Sequence, residues 1–198
     1  MEWRVTIELS GADGTKQTHE IARGGGADPH STLDPLGLRL DEGKALLADV
    51  QRHLVQARVS EYCALRRRCS RCRGLRPLKD TRTRRLNSLL GTVDVPAPRF
   101  KPCSCAVSTR SVLCPASELI PDRCTPDYER ALAMMGAWLP YRRARRFLSE
   151  FFPLGDDLPW HETIRRRTAR VGVGIGRAAV SRAKSPRPAP SSEDDGVD

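Results

Sequence analysis

The sequence predicts a modular α+β protein on three observations. Apolar and polar residues alternate from Trp3 to Leu9, a helical period takes over from about Leu40, and two close cysteine pairs bracket a second alternating stretch. The expected order is an N-terminal β-hairpin at 1–24, a linker at 25–37, a long helix at 38–66 and a zinc-ribbon-like β-hairpin module at 67–116. A three-helix, helix-turn-helix-like domain at 117–177 and a disordered tail at 178–198 complete it. With 5% aromatic residues, 39% hydrophobic residues, 15 Gly and 15 Pro in 198 residues, small modules are favoured over one large core.

The first hairpin joins Trp3–Leu9 to a second strand near Thr15 to Ile21 through the turn residues Ala12-Asp13-Gly14. Gly24-Gly25-Gly26 through Pro29 reads as a joint. In the long helix, Leu47, Val50, Leu54 and Ala57 make the apolar stripe, with His53 beside it as a core or boundary residue rather than a ligand. A helix of this length needs a partner for that stripe, and packing within the chain is favoured over pairing with a second copy. Leu78 to Leu90 and Thr92 to Phe100 form the second hairpin, with Gly91 at its turn and Pro96 and Pro98 marking a sheet edge.

Thr125-Pro126-Asp127 is a helix start: a capping hydroxyl, proline in the first turn and an acid at the positive dipole end. Tyr128, Leu132, Met135 and Leu139 share its inner face. Tyr141, Ala144, Leu148 and Phe151 form the stripe of a second helix, and Trp160, Ile164 and Val171 that of a third beginning at Pro159. Gly172-Val-Gly174-Ile-Gly176 follows a helix and lacks the spacing of a dinucleotide loop. Beyond Arg177 the Pro- and Ser-rich sequence reads as unfolded.

The chemistry concentrates in Cys69-Ser-Arg-Cys72 and Cys103-Ser-Cys105. Two thiolate pairs brought together at the base of a hairpin suit tetrahedral Zn²⁺, which supplies folding energy that a small core lacks. Unligated structural thiols and a redox pair stay as alternatives, and Cys114 could replace one member of the second pair. Cys63, Cys114 and Cys124 have no partner at short spacing. Seven cysteines, an odd number, fit reduced thiols better than a secreted disulfide framework.

A formal charge of +10 favours a polyanionic partner, and eleven basic residues fall between Arg58 and Arg85. Turning Trp160, Ile164 and Val171 inward turns Arg165, Arg166 and Arg170 outward, the pattern of a recognition helix reading base edges. Arg142, Arg143, Arg145 and Arg146 on the preceding helix suit phosphates. Neither an apolar leader nor a membrane-length apolar run is present, which predicts a cytoplasmic protein with no membrane partner.

Several motifs together carry a resemblance: Gly43-Lys-Ala-Leu-Leu47, Val50-Gln-Arg-His-Leu-Val55, the Cys69/Cys72 knuckle, Leu78-Lys-Asp-Thr-Arg-Thr-Arg84, Gly91-Thr-Val, Cys103/Cys105 and His161-Glu-Thr-Ile-Arg-Arg-Arg-Thr168. Across most of residues 36 to 176 the chain resembles the amino-terminal, DNA-binding part of bacterial insertion-sequence transposases of the ISKra type. The resemblance implies recognition of the element's terminal inverted repeats in double-stranded DNA, with a full-length transposase or a second copy of the chain as further partners. It also implies an RNase H-like catalytic domain with three acidic residues and two Mg²⁺ ions, before which this chain ends. The expectation is therefore a truncated transposase with no catalytic residues, since Glu193, Asp194, Asp195 and Asp198 are adjacent tail residues without a scaffold. A stand-alone zinc-ribbon regulator of nucleic acid is the first rival reading, and a thiol oxidoreductase using Cys69 and Cys72 ranks below it.

Overall fold

Trp3, Val5, Ile7 and Leu9 alternate with exposed neighbours along strand β1 (Glu2–Ser10), which pairs antiparallel with β2 (Lys16–Gly25). The computed structural model describes residues 2–11, 14–25, 37–105, 112–154 and 158–184, with side chains only as far as Ile175. β2 runs further than predicted and takes in Gly24 and Gly25. Gly24 stands opposite Trp3, where any Cβ would collide with the indole ring. The rest of the predicted joint, 26–36, lies outside the described residues, as does 185–198 of the predicted tail.

At the start of helix α1 (Leu40–Arg67) the Glu42 side chain reaches back to the cap residue, the Arg39 amide donating to Glu42 Oε2 at 2.8 Å. Its buried face differs from the predicted stripe. Val59 and Cys63 are buried with Val55 packed beside them, whereas Leu47 and Leu54 are each 45% exposed. Val55, Val59 and Cys63 recur every fourth residue, and their small or β-branched side chains allow close approach to a sheet. The leucines, one row away, overhang it. The helix does pack within the chain, and His53 is half-buried, its ring stacked 4.3 Å from that of His19 on β2.

That sheet is the antiparallel pair β3 (Leu78–Ser88) and β4 (Gly91–Phe100), with Leu86 opposite Val93 and Arg84 opposite Val95. Gly91, at φ +104°, makes the turn where predicted, and Ser88 Oγ closes it by donating to the Gly91 carbonyl at 2.7 Å. Val93, Val95 and Ala97 point inward and, with Leu86, Val59, Cys63, Ala116 and Ile120, make the first core. Ala116 belongs to α2 (Pro115–Leu119), a short helix that the sequence reading did not foresee.

Helices α3 (Pro126–Trp138), α4 (Tyr141–Phe151) and α5 (His161–Lys184) enclose the second core of Tyr128, Leu132, Ala144, Leu148, Leu154 and Ile164. Thr125 caps α3 as predicted, its hydroxyl accepting from the Tyr128 amide at 3.3 Å. Two predicted inner residues lie outside. Phe151 is 51% exposed because α4 ends there and Phe152 and Leu154 turn into the core instead. Trp160 is 68% exposed because α5 begins only at His161, two residues after the predicted start at Pro159, and Ile164 is its first buried position. α5 continues through Gly172, Gly174 and Gly176 to Lys184, past the predicted boundary at Arg177.

The two cores are tied at the turn of the β3–β4 hairpin. Asn87 donates to the Arg123 carbonyl and accepts from the Thr125 amide, each at 2.9 Å, and Leu89 packs against the helical core. Where α3 meets α5, Gly136 leaves no room: a Cβ there would run into Thr168 Oγ1 and lie 3.0 Å from Ile164 Cγ2. Gly136→Ala should therefore destabilise the chain by about 1–3 kcal/mol, despite a gain of about 1 kcal/mol in helix propensity, measured as a lower midpoint in thermal or urea unfolding.

Candidate metal centre and basic surface

Cys69 is the second residue beyond α1, and the chain then makes a tight knuckle. The Cys69 amide donates to the Gly74 carbonyl, and Arg73, at φ +59°, donates back to the Cys69 carbonyl, each at 2.9 Å. Cys103 and Cys105 follow the last residue of β4, at the end of the hairpin remote from its turn. The ladder from Leu78 to Phe100 brings the two segments together, and Arg71 links them by donating to the Cys105 carbonyl at 2.9 Å.

The four sulfurs converge within 4.8 Å of one another. Cys72 and Cys103 are 3.2 Å apart, Cys103 and Cys105 3.3 Å, and Cys69 and Cys105 3.5 Å. Sulfurs held about 2.3 Å from one tetrahedral ion stand roughly 3.8 Å apart, so the set has the number, chemistry and spacing for a metal ion. All seven cysteines are free thiols. Cys63 is buried in the first core, where desolvation pushes its thiol up, and Cys114 packs against that core and accepts from Ser117 Oγ.

Amide hydrogen bonds from Cys72 and Arg71 draw the Cys69 thiol down to about 6, and the Cys105 amide lowers Cys103. Hydrogen bonds to Cys103 and the other two sulfurs push Cys105 up to about 12. Cys69 stands at a helix C-terminus, where the dipole opposes a thiolate, so amides rather than a helix N-terminus lower it.

The eleven basic residues from Arg58 to Arg85 divide into two kinds. Arg76 donates to the carbonyls of Arg66 and Arg68 at 2.7 and 2.8 Å, satisfying the end of α1 beside the knuckle. Arg84 donates to the carbonyls of Ile120 and Pro121, Arg66 pairs with Glu118 at 2.8 Å, and Arg67 lies over the Phe100 ring. These cations hold the fold. Arg58, Arg68, Arg73, Lys79 and Arg82 are exposed and have no ion pair among the described residues.

The helical arginines divide similarly. On α5, Glu162 grips Arg165 at 2.7 Å and Arg166 at 3.1 Å, and the two guanidiniums hold its carboxyl down near 2. Arg170 is spent on Glu129 of α3 and on Asp122, 3.6 Å away. Arg167, which sequence reasoning missed, donates to Cys124 Sγ and lies over the Tyr128 ring, bracing α5 on α3. Arg145 is the exception on α4: its guanidinium lies 5.2 Å from the centre of the Trp160 ring and its Nε is buried. Arg142, Arg143 and Arg146 remain exposed, with no ion pair among the described residues.

Because the Glu162 carboxyl titrates below its ordinary 4.5, its pairing stabilises the start of α5 fully above that pH and is lost as pH falls to about 2. An NMR titration should place the midpoint near 2, and Arg165→Ala with Arg166→Ala should return it towards 4.5. A midpoint unmoved by that double substitution would contradict the pairing.

No helix among the described residues is long and apolar enough to cross a membrane. Compared with known proteins, the chain matches no family model, no curated protein and no solved structure.

Proposed function

We propose that this chain is a zinc-dependent DNA-binding protein, the DNA-recognition portion of an insertion-sequence transposase of the ISKra type. The observation that carries the reading is the convergence of Cys69, Cys72, Cys103 and Cys105 within 4.8 Å at the base of an arginine-rich hairpin. The ion would be Zn²⁺, favoured by four thiolates in a closed structural set, and its binding would fix the knuckle against the Cys103–Cys105 segment. The assignment to transposases rests on the motif resemblance alone.

In this reading the hairpin behaves as a zinc ribbon and α3 to α5 as a helix-turn-helix-like unit. Arg142, Arg143 and Arg146 engage phosphates, being exposed and without a carboxylate partner among the described residues. Arg165 and Arg166 address base edges with the donors that Glu162 leaves unused. Arg170 stays on Glu129 and orients α5.

The purified chain should carry about one zinc per molecule and lose it when Cys103 and Cys105 are replaced by serine. Gel-shift titration against the inverted repeat should show binding that a chelator abolishes. With roughly six to ten phosphates contacted, log K should fall with log salt at a slope of about −5 to −9, and Arg142→Ala with Arg143→Ala should flatten it by nearly 2. Zinc-free protein that stays equally folded with all four cysteines replaced would refute the proposal. Tight binding to the repeat without zinc would refute its metal dependence.

A further inference from the structure

Helix α1 has two apolar sides, and only one of them meets the sheet. At about 100° per residue, Leu54, Arg58, Glu61, Leu65 and Arg68 fall within an arc of about 80° on the side opposite Val55, Val59 and Cys63. Leu54 is 45% exposed there and Leu65 67%. Two further leucines join them: Leu75, just beyond the knuckle, and Leu78, the first residue of β3, are 59% and 51% exposed. All four line one cleft of about 1080 Å³. The tip of the β1–β2 hairpin contributes Leu9, Ser10 and Gly11 to it, and β4 contributes Pro96, Pro98 and Phe100. Exposed leucines gathered from three segments into one cleft mark a contact surface, unlike apolar residues scattered singly.

The cleft follows α1 from Leu54 to Arg68, about 14 residues or 21 Å along the helix. A strand cannot extend the sheet here. Pro96 and Pro98 bring no amide hydrogen, and the Asp94 carbonyl already accepts from Gln56 Nε2 at 3.0 Å. A peptide entering this apolar site must therefore satisfy its own backbone, as a helix does.

The charges on the same side of α1 set the sign of that helix. Arg58 and Arg68 are exposed and have no ion pair among the described residues. Glu61 is the only acid among the residues that line the cleft, and Arg67 is spent on the Arg76 carbonyl and the Phe100 ring.

We propose that this cleft docks an acidic amphipathic helix of about 14 residues from a partner protein. Its apolar side chains would lie among Leu54, Leu65, Leu75 and Leu78, and its carboxylates would face Arg58 and Arg68. Nucleic acid fits less well, because phosphates would meet the two arginines and cover none of the leucines. A second copy of the chain would set Arg58 and Arg68 against their own kind across a two-fold axis. A lipid surface is broad and flat, whereas these leucines line a cleft. The chain's own acidic end, with Glu193, Asp194, Asp195 and Asp198, has no leucine, isoleucine or aromatic residue to place there. The inference stands apart from the DNA reading above.

The test is fluorescence anisotropy on the full, zinc-loaded chain with a labelled peptide of about 14 residues. The peptide carries leucines at i, i+3, i+4, i+7 and i+11 and glutamates on its flanks; one control has lysines for the glutamates and another a central proline. The acidic peptide should bind, and both controls should bind about 10-fold more weakly or less. Leu54→Ala with Leu65→Ala should weaken the acidic peptide about 10-fold or more while leaving duplex DNA affinity within about 2-fold. Arg58→Ala with Arg68→Ala should weaken it about 3-fold or more and narrow the gap to the lysine peptide. All four leucines are exposed, so circular dichroism should show unchanged helix content, and Leu54→Ala with Leu75→Ala serves if the first pair does not fold.

An acidic peptide that fails to bind, binds no better than its lysine counterpart, or ignores the leucine variants would overturn the proposal. So would a dimer in light scattering that the leucine pair dissolves, leucine-dependent capture by phosphatidylserine vesicles, or a gain in peptide affinity on removing residues 185–198. Leucine-dependent peptide binding without any duplex binding would sink the DNA reading and leave this one standing. Zinc-dependent duplex binding without peptide binding would do the reverse.

Discussion

The packing of Val55, Val59 and Cys63 against Val93, Val95 and Ala97 is the contact on which the remaining architecture depends. A two-stranded ribbon is marginal in water on its own, and a 28-residue helix cannot bury its apolar side alone. Laid together they satisfy each other. That union fixes where α1 ends, so it also fixes where Cys69 emerges relative to the open end of the β3–β4 ladder. The sulfur cluster is thus a consequence of strand register: a slip of one residue would reverse which side chains of β4 face the helix.

Arginine supplies much of what a sparse core does not. Its planar head carries five donors and reaches several carbonyls at once, as Arg84 does at the end of α2 and Arg76 at the end of α1. Net positive charge therefore overstates the surface left for a ligand. Among the described residues, the unspent cations include exposed positions on α1, around the knuckle, along the hairpin and on the outer side of α4.

Much of this was legible in the sequence, and the exceptions share a cause. Alternation located both ribbons, the spacing of Cys69, Cys72, Cys103 and Cys105 anticipated their convergence, and Thr125-Pro126-Asp127 announced α3. These signals are local, or depend on a hairpin that is itself local. The rotational phase of α1 was misread because leucines outweigh valines in hydrophobicity, whereas the sheet selects the side chains that let a helix approach. The tasks of Arg84 and Arg170 were out of reach, because their partners Ile120 and Glu129 lie 36 and 41 residues away in the chain. Trp160 was placed inside a helix that starts two positions later than predicted, at an end where caps rather than periodicity decide.

The double link at Asn87 joins the turn of the β3–β4 hairpin firmly to the helices, while the opposite end of the same hairpin carries the thiols. The 11 residues of β3, at about 3.3 Å each, make the ribbon a strut of some 35 Å. A strut does not adjust its length: whatever is held at both of its ends must present two handholds at that separation or bend to do so.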